Sequence, residues 1–219
     1  MARVFDTLPN DYKIMQDTDL YRFTSDSVLL SRFVKVKAHE RAADFCAGSG
    51  IVGLHFMATN AVEELTFVEV QPELAALCRE NVSLNGLSCE VIERPVQKLD
   101  SSFAGRFSLI LCNPPYEKAG FSNRDDRKAI CRKEILLTFG ELALAASKCL
   151  KYGGRFAFCH RADRLAELIY TLKQHALEPK RIQFVKGKEG DKPYLVLMEC
   201  TKGGKEGVEI CPDVINTEN

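Results

Sequence analysis

From Arg41 onward, short apolar runs alternate with segments of helical period, and this alternation constrains the fold more than any other feature of the chain. Seven runs read as strands: Ala42 to Cys46, Leu65 to Val70, Cys89 to Glu93, Phe107 to Cys112, Arg155 to Cys159, Arg181 to Val185 and Tyr194 to Cys200. Between them, Pro72 to Leu84 reads as a helix, with proline in its first turn, Leu74, Leu77 and Cys78 on one face and Gly86 just past its end. Ile130 to Leu150 reads as a longer helix stopped at Gly153-Gly154, and Ala162 to Leu177 as another stopped before Pro179. Strands and helices in this alternation specify a parallel sheet covered on both faces. The last two strands are joined by a short loop rich in Gly and Lys with no helix, so they are expected to pair antiparallel. The expected fold is α/β: a seven-stranded, mostly parallel sheet with an antiparallel C-terminal strand.

At 219 residues and 46% hydrophobic, the chain suits one main domain with a full core. Its expected extent is 41–201. Residues 1–40 form a leader, with Thr24 or Ser25 capping a short helix that carries Val28, Leu29, Leu30 and Phe33. Residues 202–219 are polar and glycine-rich and are expected to be loosely held. The first residues contain no apolar signal core and no run long enough to cross a bilayer, so a soluble, cytoplasmic protein is expected. Nine cysteines, odd in number and without a CxxC pair, fit packed, reduced thiols better than disulfides or a metal site. Thirty basic residues balance thirty acidic ones, so a polyanionic partner would have to meet a local basic patch.

Asp44-Phe45-Cys46-Ala47-Gly48-Ser49-Gly50 stands where the first strand turns into its helix, and Glu69 ends the second strand. Glycines allow close backbone approach to a ligand, and a carboxylate at that strand end can accept hydrogen bonds from both hydroxyls of a ribose. The chain lacks the fuller glycine set of a dinucleotide loop and the Gly-Lys-Ser/Thr of a triphosphate loop. An acidic Asp44 favours a cationic ligand group over a phosphate. S-adenosylmethionine fits these features, with Asp44, Cys46, Ala47, Gly48, Gly50, Glu69 and Val70 lining its pocket.

Asn113-Pro114-Pro115-Tyr116 directly follows the fourth strand. An exocyclic amino nitrogen is a poor nucleophile while its lone pair is delocalised. Two acceptors, the Asn113 side-chain oxygen and the Pro114 carbonyl, can bind its hydrogens and steer the lone pair at a methyl group. Pro115 restricts the residue before it and favours a fixed extended loop, and Tyr116 offers a stacking face. This chemistry needs no metal. The basic residues Arg124, Arg127, Lys128, Arg132 and Lys133 follow the tetrapeptide, and Lys186 and Lys188 belong to a second basic group; both are candidates for RNA phosphate contact.

Taken in order, Asp44-x-Cys-x-Gly48-Ser-Gly50, Glu69 and Asn113-Pro114-Pro115-Tyr116 resemble the class I, Rossmann-like methyltransferases that act on amino groups. More narrowly, the chain resembles the tRNA adenine-N6 methyltransferase family that modifies the adenine beside the anticodon of tRNA-Val. Further matching stretches are Tyr21-Arg22-Phe23-Thr24-x-Asp26-Ser27-Val28-Leu29-Leu30, Lys128-Ala129-Ile130-Cys131-Arg132-x-Glu134-Ile135, His160-Arg161 with Arg164-Leu165-Ala166-Glu167-Leu168, and Gly187-Lys188. The resemblance implies that Phe23, Thr24 and Asp26 close the cofactor pocket, that Asn113 and Pro114 accept the amino group, and that tRNA is the partner, with no obligate protein partner. Cys46 departs from the usual first glycine of the loop and is expected at negative φ with its side chain in the core. Pro95 stands where many relatives carry an adenine-binding Asp, leaving the Val96 backbone N–H to serve the ring. Other substrates compatible with the same cradle are a guanine N2 in rRNA and a protein glutamine amide, and a noncatalytic cofactor- or RNA-binding module is the alternative from another class.

Overall fold

A computed structural model of the chain describes residues 3–18, 20, 24–115 and 137–217. After a hairpin of β1 (Arg3–Thr7) and β2 (Lys13–Asp17) and helix α1 (Ser25–Phe33), strands and helices alternate. They are β3 (Arg41–Phe45), α2 (Ile51–Thr59), β4 (Glu64–Glu69), α3 (Pro72–Leu84), β5 (Glu90–Glu93), β6 (Phe107–Cys112), α4 (Phe139–Cys149), β7 (Leu150–Arg161) and α5 (Leu165–Gln174). The chain finishes with β8 (Leu177–Lys186), β9 (Leu195–Lys202) and two dipeptide strands, β10 (Glu209–Ile210) and β11 (Val214–Ile215).

The main sheet runs β5-β4-β3-β6-β7-β9-β8, with β10 and β11 both alongside β8. Strands β5, β4, β3, β6 and β7 are parallel, and β9 lies antiparallel between β7 and β8. The α/β fold and the antiparallel C-terminal strand read from the sequence are therefore present, and the tail brings the sheet to nine strands. Side-chain alternation sends Ala43, Phe45, Ile110, Cys112, Phe156 and Phe158 to a core shared with α4 and α5. The intervening Ala42, Leu109, Leu111, Ala157 and Cys159 face α1, α2 and α3. Order reverses between β3 and β6, so the crevice at their C-terminal ends is the place where an open α/β sheet binds a ligand.

Several boundaries differ from expectation for local reasons. The long helix read over Ile130 to Leu150 begins, within the described residues, at Phe139: Thr138 and Glu141 form a reciprocal capping box that starts a helix there. It ends at Cys149, and Gly153-Gly154 lie inside β7 beside a register shift rather than at a helix stop. The next helix starts at Leu165 after a short 3-10 turn, and Leu177 already belongs to β8. The N-terminal hairpin was not anticipated. It docks on α3 through Asn81 and Asn85, whose carboxamides pair with the backbone N–H and C=O of Met15 and Lys13 at 2.7–3.0 Å, as a neighbouring strand would.

The expectation of a loosely held tail is also corrected. Lys180 Nζ donates to the carbonyls of Lys205 and Gly207, Cys211 N–H to Ile182 O, and Asn216 N–H to Lys186 O. Asn216 Nδ2 reaches both Ser25 Oγ (2.9 Å) and the Tyr194 hydroxyl (2.8 Å). The tail satisfies the open edge of β8, which a polar composition does not reveal. No helix among the described residues is long and apolar enough to cross a membrane.

Candidate functional site

The glycine loop leaves β3 with three left-handed residues in alternation: Cys46 (φ 57°), Gly48 (φ 56°) and Gly50 (φ 91°). This folds the loop tightly enough for Ala47 N–H to reach Val68 O on the adjacent strand (3.1 Å) and Gly50 N–H to reach Ala47 O (2.8 Å). Cys46 therefore does not take the negative φ expected of it, a left-handed placement that costs a non-glycine residue about 1–2 kcal/mol. Its side chain does pack against the core, as expected. At Gly50 a Cβ would stand 2.9 Å from Cys78 Sγ, so glycine is required by packing as well as by φ. At Gly48 a Cβ would meet nothing within 4 Å, which leaves the loop open on its outer side.

Glu69 anchors this loop. Its Oε2 accepts the Gly48 N–H and its Oε1 the Gln71 N–H, both at 2.8 Å. Burial pushes its carboxyl up from the ordinary range, while the N–H groups of Gln71, Gly48 and Val70 pull it back. Asp44 lies beneath the loop, on β3 itself and fully buried. Its Oδ2 accepts the Gly53 N–H in the first turn of α2 (2.9 Å), while Oδ1 has no hydrogen-bond partner among the described residues. The acid thus caps α2 from inside the sheet and shapes the loop from below, rather than facing a cationic ligand group as its residue type suggested.

Burial raises the Asp44 carboxyl from 3.8 to about 8; the Gly53 N–H opposes this and the Glu69 charge adds to it. Between those values the folded state holds a proton that the unfolded chain has lost, so this residue's contribution to stability falls as pH rises from about 4 to about 8. Asp44→Asn keeps an acceptor for Gly53 and removes the titration. The difference between wild type and variant in urea midpoint should therefore shift steadily in favour of the variant between roughly pH 5 and 8. A difference that stays flat over this range would clear Asp44 of the effect.

Asn113 emerges from β6 at the same sheet edge. Its Nδ2 donates to Ser27 Oγ (2.9 Å) in the first turn of α1, and its Oδ1 accepts from Cys159 Sγ (3.0 Å) at the end of β7. Pro114 is buried and Pro115 half-buried behind it. Thr24 is the exposed N-cap of α1, although its side chain makes no capping bond, and Asp26 is buried close enough to push the Cys159 thiol up. At the end of β5, Pro95 and Val96 open a 3-10 turn closed by Lys98 N–H to Pro95 O, with the Val96 side chain in the core.

The structure gathers Thr24, Asp26, Asp44, Cys46, Ala47, Gly48, Gly50, Glu69, Val70, Val96, Asn113, Pro114 and Pro115 at the C-terminal ends of the parallel strands. Lys188, exposed after β8, shares that edge, whereas Lys186 is bound to Asp213 of the tail at 2.5 Å. Its neighbours Lys180 and Arg181 are likewise engaged, the latter lying over the Phe33 ring and donating to Phe33 O. Phe23, Tyr116, Arg124, Arg127, Lys128, Arg132 and Lys133 lie outside the described residues. Among the described residues no group of His, Cys, Asp or Glu is arranged to hold a metal ion. Sequence reasoning missed Ser27 and Cys159 as partners of Asn113: one looked like an ordinary first-turn serine and the other like core.

A parallel sheet ending in an antiparallel pair, a glycine loop after β3, a buried acid at the end of β4 and Asn-Pro-Pro after β6 define a class I methyltransferase, a class that uses S-adenosylmethionine. The residues fit that cofactor: the loop is open at Gly48, and each Glu69 oxygen, though holding a backbone N–H, keeps acceptor capacity for a hydroxyl. A family model, the methyltransferase small domain, matches residues 23–167, and the chain belongs to this family. It is 27% identical over 190 residues to a tRNA1(Val) (adenine(37)-N6)-methyltransferase of Shewanella sp. (strain W3-18-1), spanning 85% of this chain and 79% of the relative. It is 26% identical over 187 residues to a protein of the same name from Porphyromonas gingivalis (strain ATCC BAA-308 / W83), spanning 81% and 73%. The crystal structure of a predicted O-methyltransferase from Agrobacterium tumefaciens superposes with a TM-score of 0.69 at 22% identity, over 87% of this chain and 86% of that one.

Proposed function

We propose that this methyltransferase acts on N6 of an adenine in tRNA, beside the anticodon of tRNA-Val. The observation that carries the reading is Asn113: a carboxamide tied at both ends, at the C-terminal end of β6 beside the glycine loop, with two prolines fixing the chain after it. The names of the curated relatives support the same substrate.

S-adenosylmethionine supplies, when bound, a methyl group on a cationic sulfur. Glu69 accepts the ribose hydroxyls, Gly48 and Gly50 allow close approach of the backbone, and Asp44 holds the loop in shape from below. Asn113 Oδ1 and the Pro114 carbonyl accept the hydrogens of the adenine amino group. This turns the nitrogen lone pair out of conjugation and stabilises the positive charge that grows on it. The proton leaves to solvent afterwards, so the site requires no general base. Tyr116 is assigned the stacking face, a contact of roughly 1–3 kcal/mol for a nucleobase. Arg124, Arg127, Lys128, Arg132, Lys133 and Lys188 are assigned to tRNA phosphates, and Lys186 contributes only if Asp213 releases it. This substrate implies a cytoplasmic location.

The test is incubation of the pure protein with isotope-labelled S-adenosylmethionine, bulk tRNA, rRNA and ribosomal proteins, followed by mass spectrometry of nucleosides and peptides. Label is expected in N6-methyladenosine from tRNA. Label confined to N2-methylguanosine or to a glutamine amide would overturn the substrate, and no label in any fraction would overturn the amino-methylating reading.

A further inference from the structure

The carboxamide of Asn113 is a blade on an sp³–sp² torsion, a bond whose rotation is intrinsically broad. Its oxygen and nitrogen have opposite roles towards an incoming NH2: the oxygen accepts, whereas the nitrogen repels hydrogen with hydrogen. A freely turning or flipped blade would present the wrong atom for much of the time. In this structure the blade is gripped on both edges. Its Nδ2 donates to Ser27 Oγ at 2.9 Å and its Oδ1 accepts from Cys159 Sγ at 3.0 Å.

Both gripping residues are held by the fold. The β6–β7 register pairs Cys112 with Phe158, so one step further along places Asn113 beside Cys159, on the side of the sheet that faces α1. Ser27 and Cys159 are buried, the latter completely. Helix α1 is itself pinned at both ends: Asn216 reaches Ser25 at its start, and Arg181 lies over Phe33 and donates to its carbonyl at its finish. Ser31, in the middle, is bonded to the buried His55 ring at 2.6 Å. The grip is therefore rigid.

We propose that Ser27 and Cys159 are positioning residues that lock the Asn113 carboxamide with one oxygen lone pair directed at the substrate amino group. The proposal rests on the assignment of Asn113 as amino-group acceptor. A protonated thiol can donate through S–H and accept weakly through sulfur, whereas a thiolate can only accept, so the contact to Asn113 Oδ1 requires the protonated form. Burial first, and then the nearby Asp26 charge, push the Cys159 thiol well above its ordinary range, so it stays protonated and keeps the hydrogen that its 3.0 Å contact to Asn113 Oδ1 uses. With the oxygen committed to Cys159, the nitrogen is committed to Ser27. The second oxygen lone pair is left for a substrate hydrogen.

The test compares Cys159→Ala, Cys159→Ser, Ser27→Ala and Ser27→Thr, with Cys200→Ala as a buried-thiol control at a distance from Asn113. Substrate is a tRNA-Val transcript with S-adenosylmethionine. Loss of one neutral hydrogen bond to the blade is expected to lower kcat about tenfold in each alanine variant, with KM for both substrates within about twofold. Cys159→Ser and Ser27→Thr, which retain a hydroxyl, should recover most of that loss, and Cys200→Ala should leave kcat unchanged whatever it does to thermal stability. A readout independent of turnover is the Asn113 side-chain NH2 in the protein alone: its hydrogen exchange, slow in the wild type, should accelerate in Ser27→Ala and Cys159→Ala. Alanine variants with wild-type kcat and exchange, or equal kcat losses in Cys159→Ala and Cys159→Ser, would overturn the positioning role while leaving Asn113 as acceptor. If Asn113→Ala itself kept full turnover, the acceptor reading beneath it would fail instead.

Discussion

Asn113→Ala is expected to lower methyl transfer by roughly 10²–10³-fold, the loss typical of removing a preorganised group that stabilises developing charge. Binding of S-adenosylmethionine should survive within about twofold, because Glu69 and the glycine loop, which are assigned most of the cofactor contacts, belong to β4 and to the turn after β3. Glu69 keeps its bonds to Gly48 and Gln71, and the loop keeps its fold, without any contribution from the Asn113 side chain. Single-turnover kinetics and calorimetry separate the two quantities. The expected profile is a collapsed rate constant with an intact binding isotherm. A parallel loss of cofactor affinity would show that Asn113 shapes the donor pocket and would remove it from the amino-group role.

The second large effect concerns the opposite end of the sheet. Arg155, at the start of the β7 segment paired with β6, donates to Glu40 Oε1 at 2.9 Å and to Glu199 Oε2 at 2.8 Å, and all three residues are buried. Removing the guanidinium in Arg155→Ala strands two carboxylates in the interior, and a loss of roughly 3–5 kcal/mol is expected. Since a domain of this size has only about 5–15 kcal/mol in hand, the variant should unfold at a much lower urea concentration or fail to accumulate. Replacing the group as a unit, with Arg155→Met, Glu40→Leu and Glu199→Leu together, should recover much of the loss because no charge then remains to be desolvated. A single variant with an unchanged midpoint would show that the triad is solvated in solution.

What could be read from the sequence was whatever depends on near neighbours. Helix α3 matches its expected limits, Pro72 to Leu84, at both ends, because proline in the first turn and Gly86 beyond the last act locally. Strand β6 matches too, since an apolar run ending in Asn-Pro-Pro has little freedom. The start of α4 was legible in principle, from Thr138 and Glu141 at capping-box spacing, but the apolar period upstream outweighed it. Other features depend on distant partners. The left-handed Cys46 follows from the need of Ala47 to meet Val68, and the docking of the tail follows from the unpaired side of β8. The candidate site divides in the same way: Asn113, Glu69 and the glycine loop were singled out by residue type and spacing, whereas the bonds of Ser27 and Cys159 to Asn113 exist only once β6, β7 and α1 converge.

The clasp between Asn216 and Ser25 joins positions 191 residues apart. A ribosome delivers α1 early and this clasp last, so the start of the helix gains its tail contact only after every strand of the sheet has been made. The corner around Asn113 therefore receives the last of its supporting contacts only as the sheet is completed.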